Sequence, residues 1–149
     1  LHLGAAIAGA SEELISAFRG YGHDIGIAYQ LRDDQLGVFG DPAITGKPAG
    51  DDLREGKRTE LLALALRRAD ERDPSAAATL RKFIGCTSDP QDLLRLSQII
   101  ADSGAPDEIE RRITALTESG LAHLRAAHVD PQITETLEHL AIQATTRQK

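Results

Sequence analysis

Apolar residues in this chain return every three or four positions and almost nowhere at every second one. Ile109, Ile113, Leu116, Leu121 and Leu124 make one such stripe in the long stretch that starts at Pro106. Leu93, Leu96 and Ile100 make another, and Ile133, Leu137, Leu140 and Ala144 are expected to face inward from a third. That spacing collects apolar groups on one side of a helix, and a helix with one apolar side needs other helices to cover it. The punctuation agrees. Ser88-Asp89-Pro90 and Asp130-Pro131 each offer a capping oxygen followed by a first-turn proline, while Gly85 and Ser103-Gly104 stop the helices before them. "EGKRTELLALALRRADER" and "PSAAATLRKFIG" read as further helices, and "GAAIAGASEELISAFRGYGHDIGIAYQLRDDQLGVF" as two or more helical stretches with small residues suited to close packing. The expectation is an all-α protein, a helical bundle forming a single helical region over residues 1–149, with a polar "TTRQK" tail that frays.

The bulk chemistry excludes several functions. Aromatic residues are only 3% of the chain against 41% hydrophobic, so the core is aliphatic. A formal net charge of -6 argues against nucleic acid and against an anionic membrane surface as the main partner. No apolar run approaches the roughly 20 residues of a membrane span. The single cysteine, Cys86, allows neither an internal disulfide nor a cysteine metal site, which suits a reducing cytoplasm. The chain contains no methionine and opens on the apolar "LHLGAAIAGA". That start reads as the interior of a longer protein, so the first helices are expected to expose an apolar face and to favour self-association.

The segment "QLRDDQLGVFGDPAITGK" carries the chemistry. On a helix Gly26, Gln30, Asp33 and Gly37 share a face with Asp34 beside it, and Gly37 is expected to keep that surface open. Adjacent carboxylates repel, and a hard cation such as Mg²⁺, often shared with substrate phosphates, relieves them. For a bare Asp-Asp pair, a solvated helix end is the more usual reading. The loop "GDPAITGKPAGDDLREGKRT" interleaves Lys47, Lys57 and Arg58 with glycines that let backbone approach a ligand, although a turn-rich helix connection has the same composition. It is not a phosphate-binding P-loop, because five residues separate Gly40 from Gly46 and Pro48 stands where a Ser or Thr is required. Taken together, carboxylates and a basic glycine loop within about two dozen residues fit one task, holding a metal-bridged diphosphate.

"GIAYQLRDD" followed by "GDPAITGKPAGDDLREGKRTELL" closely resembles the second aspartate-rich region of the trans-prenyltransferases, the polyprenyl diphosphate synthases, with bacterial geranylgeranyl diphosphate synthases nearest in type. Tyr29 and Gln30 match the family's aromatic-Gln pair, Asp33 and Asp34 its first two aspartates, and Lys47, Asp52, Lys57 and Thr59 the later elements. The resemblance is strongest over residues 1–66 and looser beyond. It implies the C-terminal part of the isoprenoid synthase fold, Mg²⁺ as cofactor, and condensation of isopentenyl diphosphate with an allylic diphosphate. The metals and basic residues would stabilise charge on the departing diphosphate, and the isopentenyl double bond would attack the allylic cation.

Asp33 would then be a direct metal ligand with Asp34 in support, and Lys47 and Lys57 would bind diphosphate. Tyr29 and Gln30 would belong to the substrate cavity, with Gln30 near the cation, and Asp52 would orient Lys47 or a metal-bound water. The family's usual state is a homodimer. This sequence departs from the pattern in two ways. Gly37 replaces the third aspartate, for which nearby Asp41 is a candidate substitute, and the family's first aspartate-rich motif is absent, so the 149 residues alone are expected to be inactive. Two alternatives share the resemblance. A noncatalytic helical partner subunit would tolerate Gly37, and a class I terpene cyclase would carry a different metal motif in place of "GKPAGDDLREGKRT".

Other chemically suggestive residues have plainer readings. His123 and His128 are five apart, on different helix faces, and His23 is expected to be structural. Cys86 has no His or basic neighbour to activate it. Arg67-Arg68 and Arg111-Arg112 are expected to be solvated.

Overall fold

The computed structural model describes residues 1–46 and 49–147, residues 44 and 45 by their backbone alone. Among the described residues every regular element is a helix: α1 (His2–Ile7), α2 (Glu12–Phe39), α3 (Pro42–Thr45), α4 (Asp51–Glu55), α5 (Glu60–Arg72), α6 (Pro74–Phe83), α7 (Pro90–Asp102), α8 (Ala105–Ala126) and α9 (Pro131–Thr146). The all-α expectation holds. The helix starts follow the predicted chemistry. Asp89 and Asp130 accept from the backbone N–H groups of Gln91 and Gln132, each with a proline in the first turn. Asp73 and Thr59 do the same for α6 and α5. The longest helix is α2, at 28 residues. Its glycines at 20, 22, 26 and 37 lower its intrinsic propensity, so packing sustains it.

Two compact units are distinguished, Leu1–Arg32 with Arg111–Arg147, and Asp33–Glu110. In the first, Tyr21 and Ile25 of α2 pack with Leu121 and Leu124 of α8 and Leu137 and Ala141 of α9. A Cβ at Gly120 would lie 2.9 Å from Ile25 Cδ1, so the absence of a side chain there permits that approach. The Tyr21 hydroxyl donates to the Leu137 carbonyl at 2.7 Å, which lets a phenol sit in an apolar interior.

The face that α9 buries differs from the predicted one. Leu137, Ala141 and Thr145 point inward, whereas Ile133 and Leu140 are about half exposed and Ala144 is half-buried. Thr145 tolerates burial because its hydroxyl donates to the Ala141 carbonyl at 3.0 Å. Helix α9 runs on to Thr146, into the polar tail. Arg32 Nε donates to the Thr145 carbonyl at 2.8 Å, and the Arg147 guanidinium lies 4.0 Å from the centre of the Tyr29 ring. Leu3 and Ile7 of α1 are exposed, as is Leu1 at its cap, as the opening sequence suggested.

In the second unit Leu53, Leu61, Leu80, Leu96, Ile100 and Ile109 are fully buried. Arg68 is not the solvated residue expected of an Arg-Arg pair. Its guanidinium donates to the carbonyls of Ser103 and Gly104, which end α7, and lies 3.7 Å from Glu108. The turn after α4 is fixed by backbone contact. Gly56 and Gly85 both have positive φ, and a Cβ on Gly56 would come 2.9 Å from the Gly85 Cα. Beside them the Gly85 N–H donates to the Leu53 carbonyl at 2.8 Å. This crossing anchors the backbone that presents residue 57.

Candidate functional site

The C-terminal turns of α2 carry Asp33 and Asp34, α4 carries Asp52, and the turn closing α4 carries Lys57. The geometry follows from two local choices. Glycines with left-handed backbone at 50 and 56 bracket α4 and hold it to 5 residues. The Lys57 N–H then bonds back to the Asp52 carbonyl at 3.0 Å, which brings the two side chains to one side. Lys57 Nζ lies 3.1 Å from Asp52 Oδ2, 3.4 Å from Asp34 Oδ1 and 3.9 Å from Asp33 Oδ2. Three predicted site carboxylates therefore surround one predicted site ammonium.

Their environments differ. The side chains of Asp34 and Asp52 are 7% and 12% exposed, whereas that of Asp33 is 39% exposed. Burial pushes the Asp52 carboxyl above its ordinary value, and the hydrogen bond and charge of Lys57 only partly reverse this. Lys57 shows the opposite balance. Burial alone would lower it, but the hydrogen bond and charge of Asp52 with the charge of Asp34 carry it above its ordinary value. The ammonium is thus the better-compensated partner, since several carboxylates favour its charge while Asp52 also feels two like-charged neighbours.

The other residues singled out in the sequence are placed as follows. Gly37 does not leave the surface open, because a Cβ there would fall inside 3.0 Å of the Asp52 carboxyl carbon and of both its oxygens. Asp41, the candidate replacement for a third aspartate, accepts from the Ala43 N–H at 2.9 Å and caps α3. Asp52 meets Lys57 at 3.1 Å. Lys47 itself lies outside the described residues. Thr59 caps α5 by accepting from the Leu62 N–H at 3.2 Å. Tyr29 and Gln30 are exposed residues of the first unit. A cavity of about 520 Å³ borders Lys57 and is lined by Arg58, Thr59, Leu62, Leu80 and Ile84 among others.

The histidines stay outside this chemistry. His123 Nε2 lies 3.7 Å from Asp24 Oδ2 in the first unit, and His23 and His128 are exposed. Cys86 is exposed and free. Among the described residues no group of three or more His, Cys, Asp or Glu side chains is arranged to hold a metal. Mg²⁺ does not require one, because it commonly takes one or two carboxylates and completes its shell with water and substrate phosphate. The hard oxygens of Asp33 and Asp34, one of them solvent-accessible, fit that demand. No helix is long and apolar enough to cross a membrane among the described residues.

Comparison with known proteins places this geometry in context. Residues 1–102 match the family described as Polyprenyl synthetase. The geranylfarnesyl diphosphate synthase of Aeropyrum pernix is 40% identical over 139 residues, covering 93% of this chain and 42% of that protein. The geranylgeranyl diphosphate synthase of Mycobacterium tuberculosis is 31% identical over 131 residues, covering 88% of this chain and 37% of its own. The crystal structure of the Corynebacterium glutamicum geranylgeranyl pyrophosphate synthase, complexed with isoprenyl diphosphate and magnesium, superposes with a TM-score of 0.94 at 58% identity. It covers 97% of this chain and 41% of that one. The chain thus spans about two fifths of the length of the proteins it matches.

Proposed function

The chain belongs to the polyprenyl synthetase family, and from that premise we propose that it supplies the second aspartate-rich half of a trans-prenyltransferase site. That enzyme condenses an allylic diphosphate with isopentenyl diphosphate to make a short-chain product such as geranylgeranyl diphosphate. The observation that carries the reading is the convergence of Asp33, Asp34 and Asp52 on Lys57. Helix α2 and the loop after it are linked there by charge, in the order that a metal-bridged diphosphate calls for.

Asp33, the most accessible carboxylate, is the direct Mg²⁺ ligand in this proposal, and the buried Asp34 supports it. Bound Mg²⁺ would act as a Lewis acid on the diphosphate oxygens. Lys57, with Lys47, binds the diphosphate and stabilises the charge that grows on it as the allylic bond breaks. Asp52 accepts a hydrogen bond from the Lys57 ammonium at 3.1 Å, so that the ammonium is aimed before substrate arrives. Interactions of this kind strengthen in the transition state and register in kcat more than in ground-state affinity. The resemblance calls for two aspartate-rich helices and this sequence holds one, so the 149 residues alone are expected to bind but not to turn over. The exposed Leu1, Leu3 and Ile7 supply an apolar face for the proposed self-association.

The test compares two aspartates in an enzyme that joins these residues to an upstream aspartate-rich helix. Asp33→Asn should lower kcat by on the order of 10²-fold, the scale of losing one charge-stabilising contact, and extra Mg²⁺ should not restore it fully. Asp89→Asn, a change to the cap of α7, should leave kcat nearly intact. Equal behaviour of the two variants would show that Asp33 and Asp34 are a solvated helix end.

A further inference from the structure

The second unit holds a cavity of about 520 Å³ that the carboxylate cluster does not use. Lys57 borders both, but its ammonium is engaged by Asp33, Asp34 and Asp52, and none of those carboxylates lines the cavity. Part of the lining is apolar. Leu62 of α5 and Leu80 of α6 are buried, and Leu66 and Ile84 beside them are half-buried. The charged part has one sign. In a chain of formal charge -6, the lining carries Lys57, Arg58 and Arg81 and no carboxylate. Two of these cations already have partners, since Lys57 is held by the cluster and Arg81 lies 2.5 Å from Asp70 of α5. Arg58 is exposed, and among the described residues no hydrogen bond or ion pair engages its side chain.

Leucines that border open space lack the contacts a packed interior would give them, and an alkyl chain laid against them restores those contacts. A guanidinium without a counter-charge favours an anion, and its planar fork suits two phosphate oxygens at once. Mostly apolar walls with a few placed polar groups, in a space of about 300–1,000 Å³, are the usual make-up of a small-molecule site. We propose that this cavity binds a free single-chain amphiphile with a phosphate head, its chain against Leu62, Leu66, Leu80 and Ile84 and its head on Arg58. The inference stands apart from the diphosphate reading of the carboxylate cluster, although Lys57 borders both places. A bare anion would leave the leucines without a role, and a neutral hydrocarbon would leave Arg58 without a counter-charge. A free molecule fits better than a bilayer, because the net charge of the chain opposes an anionic membrane surface.

The test is calorimetric titration of the 149-residue chain with octyl phosphate, below its micelle concentration and with a chelator present to remove Mg²⁺. Octyl phosphate should bind, and octanol and inorganic phosphate should each bind at least about tenfold more weakly, since each offers half of the ligand. Arg58→Ala should weaken octyl phosphate about tenfold, the scale of one charge-assisted hydrogen bond, and Arg58→Glu should weaken it further. Arg95→Glu, the same charge change at an exposed position of α7, should leave it unaltered. Ala63→Phe, which adds a ring at an exposed lining position, should weaken octyl phosphate and octanol alike. No binding of octyl phosphate, or equal effects of the changes at 58 and 95, overturns the site. Sedimentation of the chain with phosphatidic acid vesicles should be absent, and its presence would replace the free amphiphile with a membrane surface. Prior saturation with Mg²⁺ and inorganic pyrophosphate, in buffer without chelator, should leave the affinity for octyl phosphate unchanged. Competition would place the amphiphile on the carboxylate cluster and overturn the separate site. Should pyrophosphate itself fail to bind, the diphosphate reading falls, while the titrations with octyl phosphate still decide this one.

Discussion

Each compact unit buries a polar group, and the two do so by opposite means. In the first, Tyr21 places one neutral donor against one backbone carbonyl, and apolar side chains close around the pair. In the second, Asp33, Asp34 and Asp52 share the ammonium of Lys57. A neutral hydrogen bond is satisfied once made. Three carboxylates around one ammonium repel each other while each is attracted to it, and two of them are substantially removed from water. The first arrangement suits an interior whose task is to stay closed. The second suits a place where charge is exchanged with something that arrives, at some cost to stability while nothing is there.

The sharpest way to break the comparison is to hollow out each unit. Leu124 and Leu53 are both fully buried. Truncation of either to alanine should cost about 2–5 kcal/mol in denaturant unfolding, the usual range for a buried leucine. Their functional consequences should part company. Leu53 is next to Asp52 and its own carbonyl receives the Gly85 N–H, so Leu53→Ala loosens that turn and should weaken Mg²⁺-pyrophosphate binding as well. Leu124→Ala should leave that binding close to unchanged. Equal loss of binding in both would mean that the charged cluster is not built locally in the second unit.

A smaller effect is expected from the charge itself. Lys57→Met keeps the aliphatic stem and removes the ammonium from three carboxylates. The cost should be about 1–2 kcal/mol, the lower part of the range for charged hydrogen bonds because the side chain is partly exposed and screened. Added salt should recover part of the loss by screening the carboxylates from one another. A variant as stable as the parent at low salt would mean that the carboxylates do not strain the folded state.

What the sequence made legible, and what it hid, follows the same division. The helices were readable because periodicity and caps are local. Asp73, Asp89 and Asp130 act on N–H groups two or three residues away. Asp33, Asp34 and Lys57 were readable as site candidates because the whole pattern lies in one stretch of chain. The buried face of α9 was not readable. Ile133, Leu137, Leu140, Ala141 and Ile142 give it apolar groups on several sides, and the packing of Leu137 and Ala141 against Tyr21 and Leu124 selects among them. Arg68 looked solvated because nothing beside it in the sequence reveals the end of α7. The fit of Gly56 to Gly85, and of Asp52 to Gly37, likewise joins residues far apart along the chain. Each glycine looks locally like a turn former or a gap in a motif, and its reason is a neighbour brought in by folding.

The mildest perturbation is Tyr21→Phe, which leaves the ring and removes its hydroxyl. The Leu137 carbonyl loses its side-chain donor, and the expected cost is about 0.5–1.5 kcal/mol at neutral pH. Its pH dependence sharpens the contrast between a neutral and a charged interior. Burial raises the Tyr21 phenol above its ordinary value of 10.0, so the folded chain holds that proton more tightly than the unfolded chain does. As pH rises from about 10 towards the folded value, the unfolded chain ionises first, and stability must fall. Phenylalanine has no proton to lose, so that component of the alkaline loss should vanish and the two stability curves should converge as pH increases. Denaturant unfolding of both proteins between neutral pH and about pH 11 reads this directly. Curves that stay parallel throughout would show that the phenol ionises with equal ease folded and unfolded, and the first unit would then be less closed than its hydrogen bond implies.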